Sequence, residues 1–236
     1  SLKDAMEPYP LSLRGMNWVK FLSGNSIQDP EINTFLFNDY QRLVDNLEYH
    51  LLGNHLLENG FALLFGAVYF KNEKYYQEGV QIIKSELKEQ ILNDGAHFER
   101  SPMYHQIILH RILDSIQLLR LNAWKQDGLL EFLNTNASLM LGWLQTITYE
   151  NGDIPMVNDA AYGIAPTSKE LFDYAHHLGL KWTKAILKDS GYRKWNSEYF
   201  ECFMDLGNVG PDYIPGHAHA DTFNFELYVQ GEPFIV

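Results

Sequence analysis

From about residue 31 to residue 190, apolar side chains recur at intervals of three and four, the spacing that places them on one face of a helix. Asp29-Pro30-Glu31 reads as a helix opening, with a short acceptor, a proline in the first turn and an acid beside it. Ile32, Phe35, Leu36, Tyr40, Leu43 and Leu47 follow at helical spacing. The pattern predicts further long helices over Asn54–Phe70, Tyr75–Ile91, Pro102 to about Leu119, and Leu129–Thr146, then a shorter pair over Ser168–Leu178 and Trp182–Leu187. Long helices joined by short turns, with no strand between them, predict antiparallel neighbours. Either a simple bundle or a ring of helical hairpins fits, and the polar character of the turns favours the ring.

From Tyr199 the period changes to two, through Asp205 and again from Thr222 to Val229, with the proline- and glycine-rich Gly207–Gly216 between. Gly231-Glu232-Pro233-Phe234-Ile235-Val236 reads as a turn and a fresh strand. Two strands make a poor sheet alone. The expectation is therefore a helical domain over 1–195 and the start of a β-sheet domain over 196–236 that continues in a longer protein.

Composition narrows the function more than the fold. Thirty acidic against eighteen basic residues give a formal charge of -12, which argues against broad nucleic-acid binding. An anionic small ligand or polysaccharide in a locally basic groove stays open. The single cysteine, Cys202, excludes an internal disulfide and leaves the redox compartment undecided. Ser1–Leu11 has neither the basic start nor the apolar run of a signal peptide. Leu51–Phe70 is the nearest thing to a membrane span, but Asn54, His55 and Glu58 interrupt it, so no transmembrane segment is expected.

Four polar clusters carry candidate chemistry, each at a junction between elements. Gly53–Gly60 offers the Asn54 amide, the His55 imidazole and, one turn on, the Glu58 carboxylate. Asn93–His105 is a loop dense in ionisable groups, with Asp94, His97, Glu99 and Arg100, feeding a helix whose first turn holds Tyr104 and His105. Asn151–Ala160 ends in Asn158-Asp159. Gly216–Asp221 places His217, His219 and Asp221 on one side of an incipient strand, an arrangement suited to proton transfer or metal binding.

Five segments, PYPLSLRGMNW (8–18), GNHLLENG (53–60), DGAHFERSPMYH (94–105), GDIPMVNDAA (152–161) and GHAHADTFNFEL (216–227), together resemble the heparinase II/III-like group of polysaccharide lyases. They run in the family's order along nearly the whole chain. The resemblance implies an incomplete (α/α) toroid followed by the first strands of an antiparallel β-sandwich. It also implies β-elimination on a uronic-acid-containing polysaccharide. By resemblance, Asn54 would hold the uronate carboxylate with His55 beside it. Tyr104 falls on the family's catalytic tyrosine, the proton donor to the leaving oxygen, and His217 on the histidine that reaches over the groove from the sandwich. Glu58, Glu99, Arg100, Asn158 and Asp159 would stand close behind as substrate-binding residues. His219 falls on the first ligand of a structural zinc found in many members, whose other ligands would lie beyond residue 236; the chemistry itself needs no cofactor.

Elementary chemistry agrees with these residue types. Loss of a proton alpha to a carboxylate builds charge that donors must stabilise. A base and an acid must then reach the proton and the glycosidic oxygen. Tyrosine serves as an acid without help but as a base only beside cationic or histidine neighbours; whether Tyr104 or a histidine is the base stays open. Few cations accompany the motifs, Arg100 and Arg111 being the nearest, whereas a heavily sulfated chain would call for more arginine. The expected ligand is therefore a lightly or non-sulfated uronate polymer or oligosaccharide, such as an exopolysaccharide, capsule or O-antigen, rather than heparin. A glycoside hydrolase with paired carboxylates and a non-catalytic glycan-binding protein are the alternatives.

Overall fold

A computed structural model describes residues 4–125, 127–208, 219 and 222–236. Among them, seven α-helices precede four strands: α1 (Pro8–Gly24), α2 (Pro30–Val44), α3 (Gly53–Phe70), α4 (Glu73–Gln90), α5 (Pro102–Leu121), α6 (Leu129–Ile147), α7 (Ser168–His177), then β1 (Tyr192–Asn196), β2 (Phe200–Asp205), β3 (Phe225–Val229) and β4 (Glu232–Ile235). Between 54 and 147 the only strand-like pairing among these residues is an isolated bridge, Ile91 to His97. Among the described residues no helix is long and apolar enough to cross a membrane. By contact density the chain divides into two compact units, Ser1–Lys88 with Gln117–Leu130, and Glu89–Ile116 with Glu131–Val236.

In the first unit α1, α2 and α3 pack together. Asp29 caps α2 as its sequence predicts, accepting the Glu31 and Ile32 N–H groups, with Pro30 in the first turn. α3 is the core element: Leu56 through Val68 is buried all round, so its apolar run answers to protein rather than lipid. Close approach of its neighbours depends on glycine. A Cβ at Gly66 would stand 2.5 Å from the Tyr40 ring, and one at Gly60 would stand 2.7 Å from Ile82. Helix α1 was not legible in the periodicity. Its buried face includes Ser12 and Gly15 among Leu11, Met16, Val19 and Leu22, which breaks the apolar stripe; Gly15 is there because a Cβ would meet the Tyr40 ring at 3.0 Å.

In the second unit the stretch expected as a helix over Trp182–Leu187 is extended instead. Its backbone groups go to α6 and to Asp94: Ala185 N–H donates to the Gly142 carbonyl, the Thr146 hydroxyl to the Ala185 carbonyl, and Lys188 N–H to Asp94. Gly142 lets this strap lie close, since a Cβ there would sit 2.3 Å from the Thr183 carbonyl oxygen. Tertiary hydrogen bonds outcompete a short helix whose own cooperativity is weak.

The sheet is antiparallel in the order β1-β2-β3-β4. Strands β3 and β4 are joined by the two residues Gln230 and Gly231, both at positive φ (53° and 80°), the twist a tight hairpin requires. Strand β3 begins at Phe225 rather than Thr222, after a turn. The face of β2 that is buried carries Glu201, Phe203 and Asp205, not the apolar Phe200, Cys202 and Met204. These carboxylates are stable there because each has donors. Glu201 pairs with Lys194 at 2.8 Å and accepts the Glu150 N–H, and Asp205 accepts the Gly207 N–H. On β3, Glu226 accepts the Tyr149 hydroxyl at 2.9 Å and the Met156 N–H at 2.6 Å. It thereby holds the 151–158 loop against the sheet.

Candidate functional site

The predicted site residues fall in both compact units, and His217 lies outside the described residues. In the first unit, Asn54 and His55 stand half-buried in the first turn of α3. The residue before that helix, Leu52, has φ 58° and ψ -156°, a conformation normally confined to glycine. Such strain persists only where surrounding structure holds it, and it clusters at functional sites.

Around His55 the structure builds an orienting set that sequence reasoning missed. His55 Nδ1 lies 3.2 Å from Glu48 Oε1, and the other Glu48 oxygen accepts the Asn59 amide at 2.8 Å. Asn59 also donates to the Ser12 hydroxyl at 3.1 Å and accepts the Glu48 N–H at 3.0 Å. The Tyr9 ring packs on the imidazole with centroids 4.8 Å apart. A carboxylate only accepts, so in this contact Nδ1 carries the hydrogen. Glu58, expected to orient His55, is 1 % exposed within α3, and the carboxylate beside the imidazole is that of Glu48. Glu48 lies between two predicted helices with no motif around it; Asn59 sat inside GNHLLENG and could have been singled out there.

In the second unit, Tyr104 opens α5, half-buried, its N–H 3.5 Å from the Ser101 hydroxyl. Burial raises the Tyr104 phenol above its ordinary value of 10.0, and the Asp159 and Glu99 carboxylates push the same way. Glu99 is 4 % exposed, its Oε2 4.0 Å from Nδ1 of the buried His97. His97 Nε2 lies 2.9 Å from Gln90, which anchors the loop from below. His105 is fully enclosed. It accepts the His97 N–H at Nδ1, and its Nε2 lies 3.1 Å from the Met140 carbonyl. Burial pushes its pKa from 6.5 down to about 3, so it is a neutral structural imidazole.

Arg100 turns its guanidinium onto the Asn208 carbonyl. Asn158 is 2 % exposed, and its side chain bonds to Tyr192, to the Arg100 carbonyl and to the His219 N–H. Asp159 is exposed, with Oδ1 3.6 Å from His219 Nε2. His219 and Asp159 are two metal-compatible donors. Among the described residues no group of three His, Cys, Asp or Glu could hold a metal, and no step below runs through a metal.

Helices that run on into an antiparallel sheet define the class of fold, and solved structures share it. The crystal structure of heparinase III superposes with a TM-score of 0.71 over 96% of this chain and 42% of that one, at 19% identity. The heparan sulfate lyase HepC from Pedobacter heparinus superposes with a TM-score of 0.67 over 97% and 40%, also at 19% identity. The fold is therefore toroid helices followed by antiparallel strands, as read from the sequence. The chain belongs to the heparinase II/III family: residues 11–177 match the heparinase II/III N-terminus and residues 181–236 the heparinase II/III-like C-terminal part. Two heparin-sulfate lyases are similar in sequence. That of Pedobacter heparinus is 26% identical over 223 residues, covering 84% of this chain and 33% of that protein. That of Bacteroides stercoris is 24% identical over 145 residues, 59% of this chain and 22% of that protein. The chain thus spans between about a fifth and a third of the curated relatives it matches.

Proposed function

We propose that the protein is a polysaccharide lyase that cleaves a uronic-acid-containing, lightly or non-sulfated polysaccharide by β-elimination. In this reading the Asn54 amide donates to the uronate carboxylate, with His55 beside it, where charge builds as the alpha proton leaves. The electron pair of the broken C–H bond forms a double bond conjugated to the carboxylate. The glycosidic C–O bond breaks, and its oxygen takes the phenolic proton of Tyr104. His217, by its match to the family motif, is the candidate to remove the alpha proton.

The observation that carries the reading is the match of residues 11–177 and 181–236 to the heparinase II/III family, with Tyr104 half-buried in the first turn of α5. Burial and the Asp159 and Glu99 carboxylates raise the Tyr104 pKa above 10.0, so at neutral pH the phenol holds the proton that a leaving oxygen needs. The same carboxylates oppose a phenolate, which favours Tyr104 as acid and a histidine as base. Low sulfation is supported by the -12 charge. The similar proteins are called heparin-sulfate lyases, so heparan sulfate belongs in any substrate panel beside unsulfated uronate polymers. In the full-length protein His219, with ligands expected beyond residue 236, is proposed to hold a structural zinc.

Mass spectrometry of the digested polymer separates the reaction classes. Elimination gives oligosaccharides lighter by one water than the products of hydrolysis; products of hydrolytic mass would replace the lyase reading with a glycoside hydrolase.

A further inference from the structure

Three non-glycine residues near Tyr104 adopt left-handed backbone angles: Arg100 (φ 59°), Asn158 (φ 50°) and Asp159 (φ 61°). Such residues persist in that region only where neighbours hold them. What holds two of them here is one phenol. The Tyr192 hydroxyl donates to the Arg100 carbonyl, and the Asn158 amide donates to the Tyr192 oxygen at 3.0 Å and to the same carbonyl at 3.4 Å. Tyr192 stands on β1, fully buried, its ring packed on Phe203 (centroids 4.8 Å apart) and Trp143 (6.0 Å). Packing therefore fixes where the hydroxyl sits.

The bonds lead on to the proposed chemistry in both directions. Arg100 closes the loop that enters α5 four residues before Tyr104. Asn158 Oδ1 accepts the His219 N–H at 3.4 Å, and the next residue, Asp159, acts electrostatically on the Tyr104 phenol. A phenylalanine at 192 would fill the same space, so packing alone does not call for a hydroxyl.

We infer that Tyr192, acting through Asn158 and the Arg100 carbonyl, is a positioning residue that sets Asp159 against the Tyr104 phenol. This rests on the lyase reading, in which Tyr104 must be aimed at the leaving oxygen. Misplacement by about an ångström can cost on the order of a hundredfold in rate without loss of substrate contacts.

The test uses the full-length protein with Tyr192→Phe, Asn158→Ala and the double variant. Expected is a fall in kcat of roughly tenfold to a hundredfold in each single variant, with KM moving less than about twofold. The double variant should fall no further than the lower single, because both act through the same bonds. A merely structural hydroxyl would lower the melting temperature and leave kcat alone; that result, or multiplicative losses in the double variant, overturns the inference. Amide hydrogen exchange judges it without reference to turnover. Residues 97–104 and 156–159 should both exchange roughly fivefold faster in Tyr192→Phe, the loss of one buried hydrogen bond. Unchanged protection there overturns the role of Tyr192 alone, whereas a wild-type protein that eliminates nothing overturns the lyase reading.

Discussion

Asp94 ties the loop that leads to Tyr104 to the chain that enters the sheet, and its removal should be costly. Its carboxylate is 8 % exposed. One oxygen accepts the Ser190 N–H at 2.8 Å, the Ser190 hydroxyl at 2.7 Å and the Lys188 N–H at 3.0 Å, and the other accepts the Ala96 N–H at 3.2 Å. Burial alone would raise this carboxyl, but the Ser190, Lys188 and Ala96 donors outweigh it and hold it below its ordinary 3.8. Asp94→Ala leaves the N–H groups of Ser190 and Ala96, both fully buried, without their acceptor; Lys188 is exposed and can turn to water. At about 1–3 kcal/mol for each of the two stranded buried donors, the loss is about 2–6 kcal/mol, a large share of the roughly 5–15 kcal/mol that holds a typical protein folded. Urea unfolding reads it as a lower midpoint at unchanged slope, and Asp94→Asn, which keeps one acceptor oxygen, should lose about half as much. The sign with pH follows from a depressed carboxyl. The stabilisation is complete above pH 3.8 and drains away as pH falls through the lower folded value, so the Ala variant should lack that part of the acid-side decline. A loss below about 1 kcal/mol in Asp94→Ala would refute the reasoning.

Four further outcomes follow from the same geometry. His105, with its pKa lowered from 6.5 to about 3, stabilises the fold fully above pH 6.5 and progressively less as pH falls toward 3. The protein should lose stability with a slope of up to about 1.4 kcal/mol per pH unit from this group, and His105→Gln should flatten the slope. Gly66→Ala drives a methyl group to 2.5 Å from the Tyr40 ring and should cost about 1–3 kcal/mol in denaturant unfolding. Glu48→Ala releases His55 Nδ1 and should lower kcat roughly tenfold to a hundredfold with the fold intact. Because the Tyr104 phenol is raised above 10.0, any alkaline limb of kcat/KM below pH 10 should survive unchanged in variants of Asp159, belonging to another group; a limb that moves with Asp159 would count against Tyr104 as a protonated acid.

The long helices were legible because one physical signal dominated each. Asp29 and Pro30 start α2, and the apolar runs of α3 and α6 leave no alternative to burial. Helix α1 was hidden because Ser12 and Gly15 stand on its core face, chosen for the Asn59 amide and the Tyr40 ring rather than for hydrophobicity. The 181–188 strap was misread because its partners, Gly142 and Asp94, are more than 40 residues distant in sequence. Buried Glu201, Asp205 and Glu226 stand on the covered face of the sheet, and their donors explain it. At the candidate site, Asn54, His55 and Tyr104 announced themselves by motif. Glu48 and Tyr192, which orient their surroundings through side-chain hydrogen bonds, left no local pattern to read.

The central claim is elimination with Tyr104 as the proton donor. The most direct measurement follows the ultraviolet absorbance of the conjugated double bond when the full-length protein and its Tyr104→Phe variant meet a panel of uronate polymers, heparan sulfate included. The account predicts a rising signal on at least one lightly or non-sulfated polymer with the wild type. With Tyr104→Phe, folded as judged by circular dichroism, the rate should drop by about 10²–10⁴-fold, the usual worth of a positioned acid. New reducing ends without that absorbance, binding with neither, or an undiminished signal from Tyr104→Phe would contradict it.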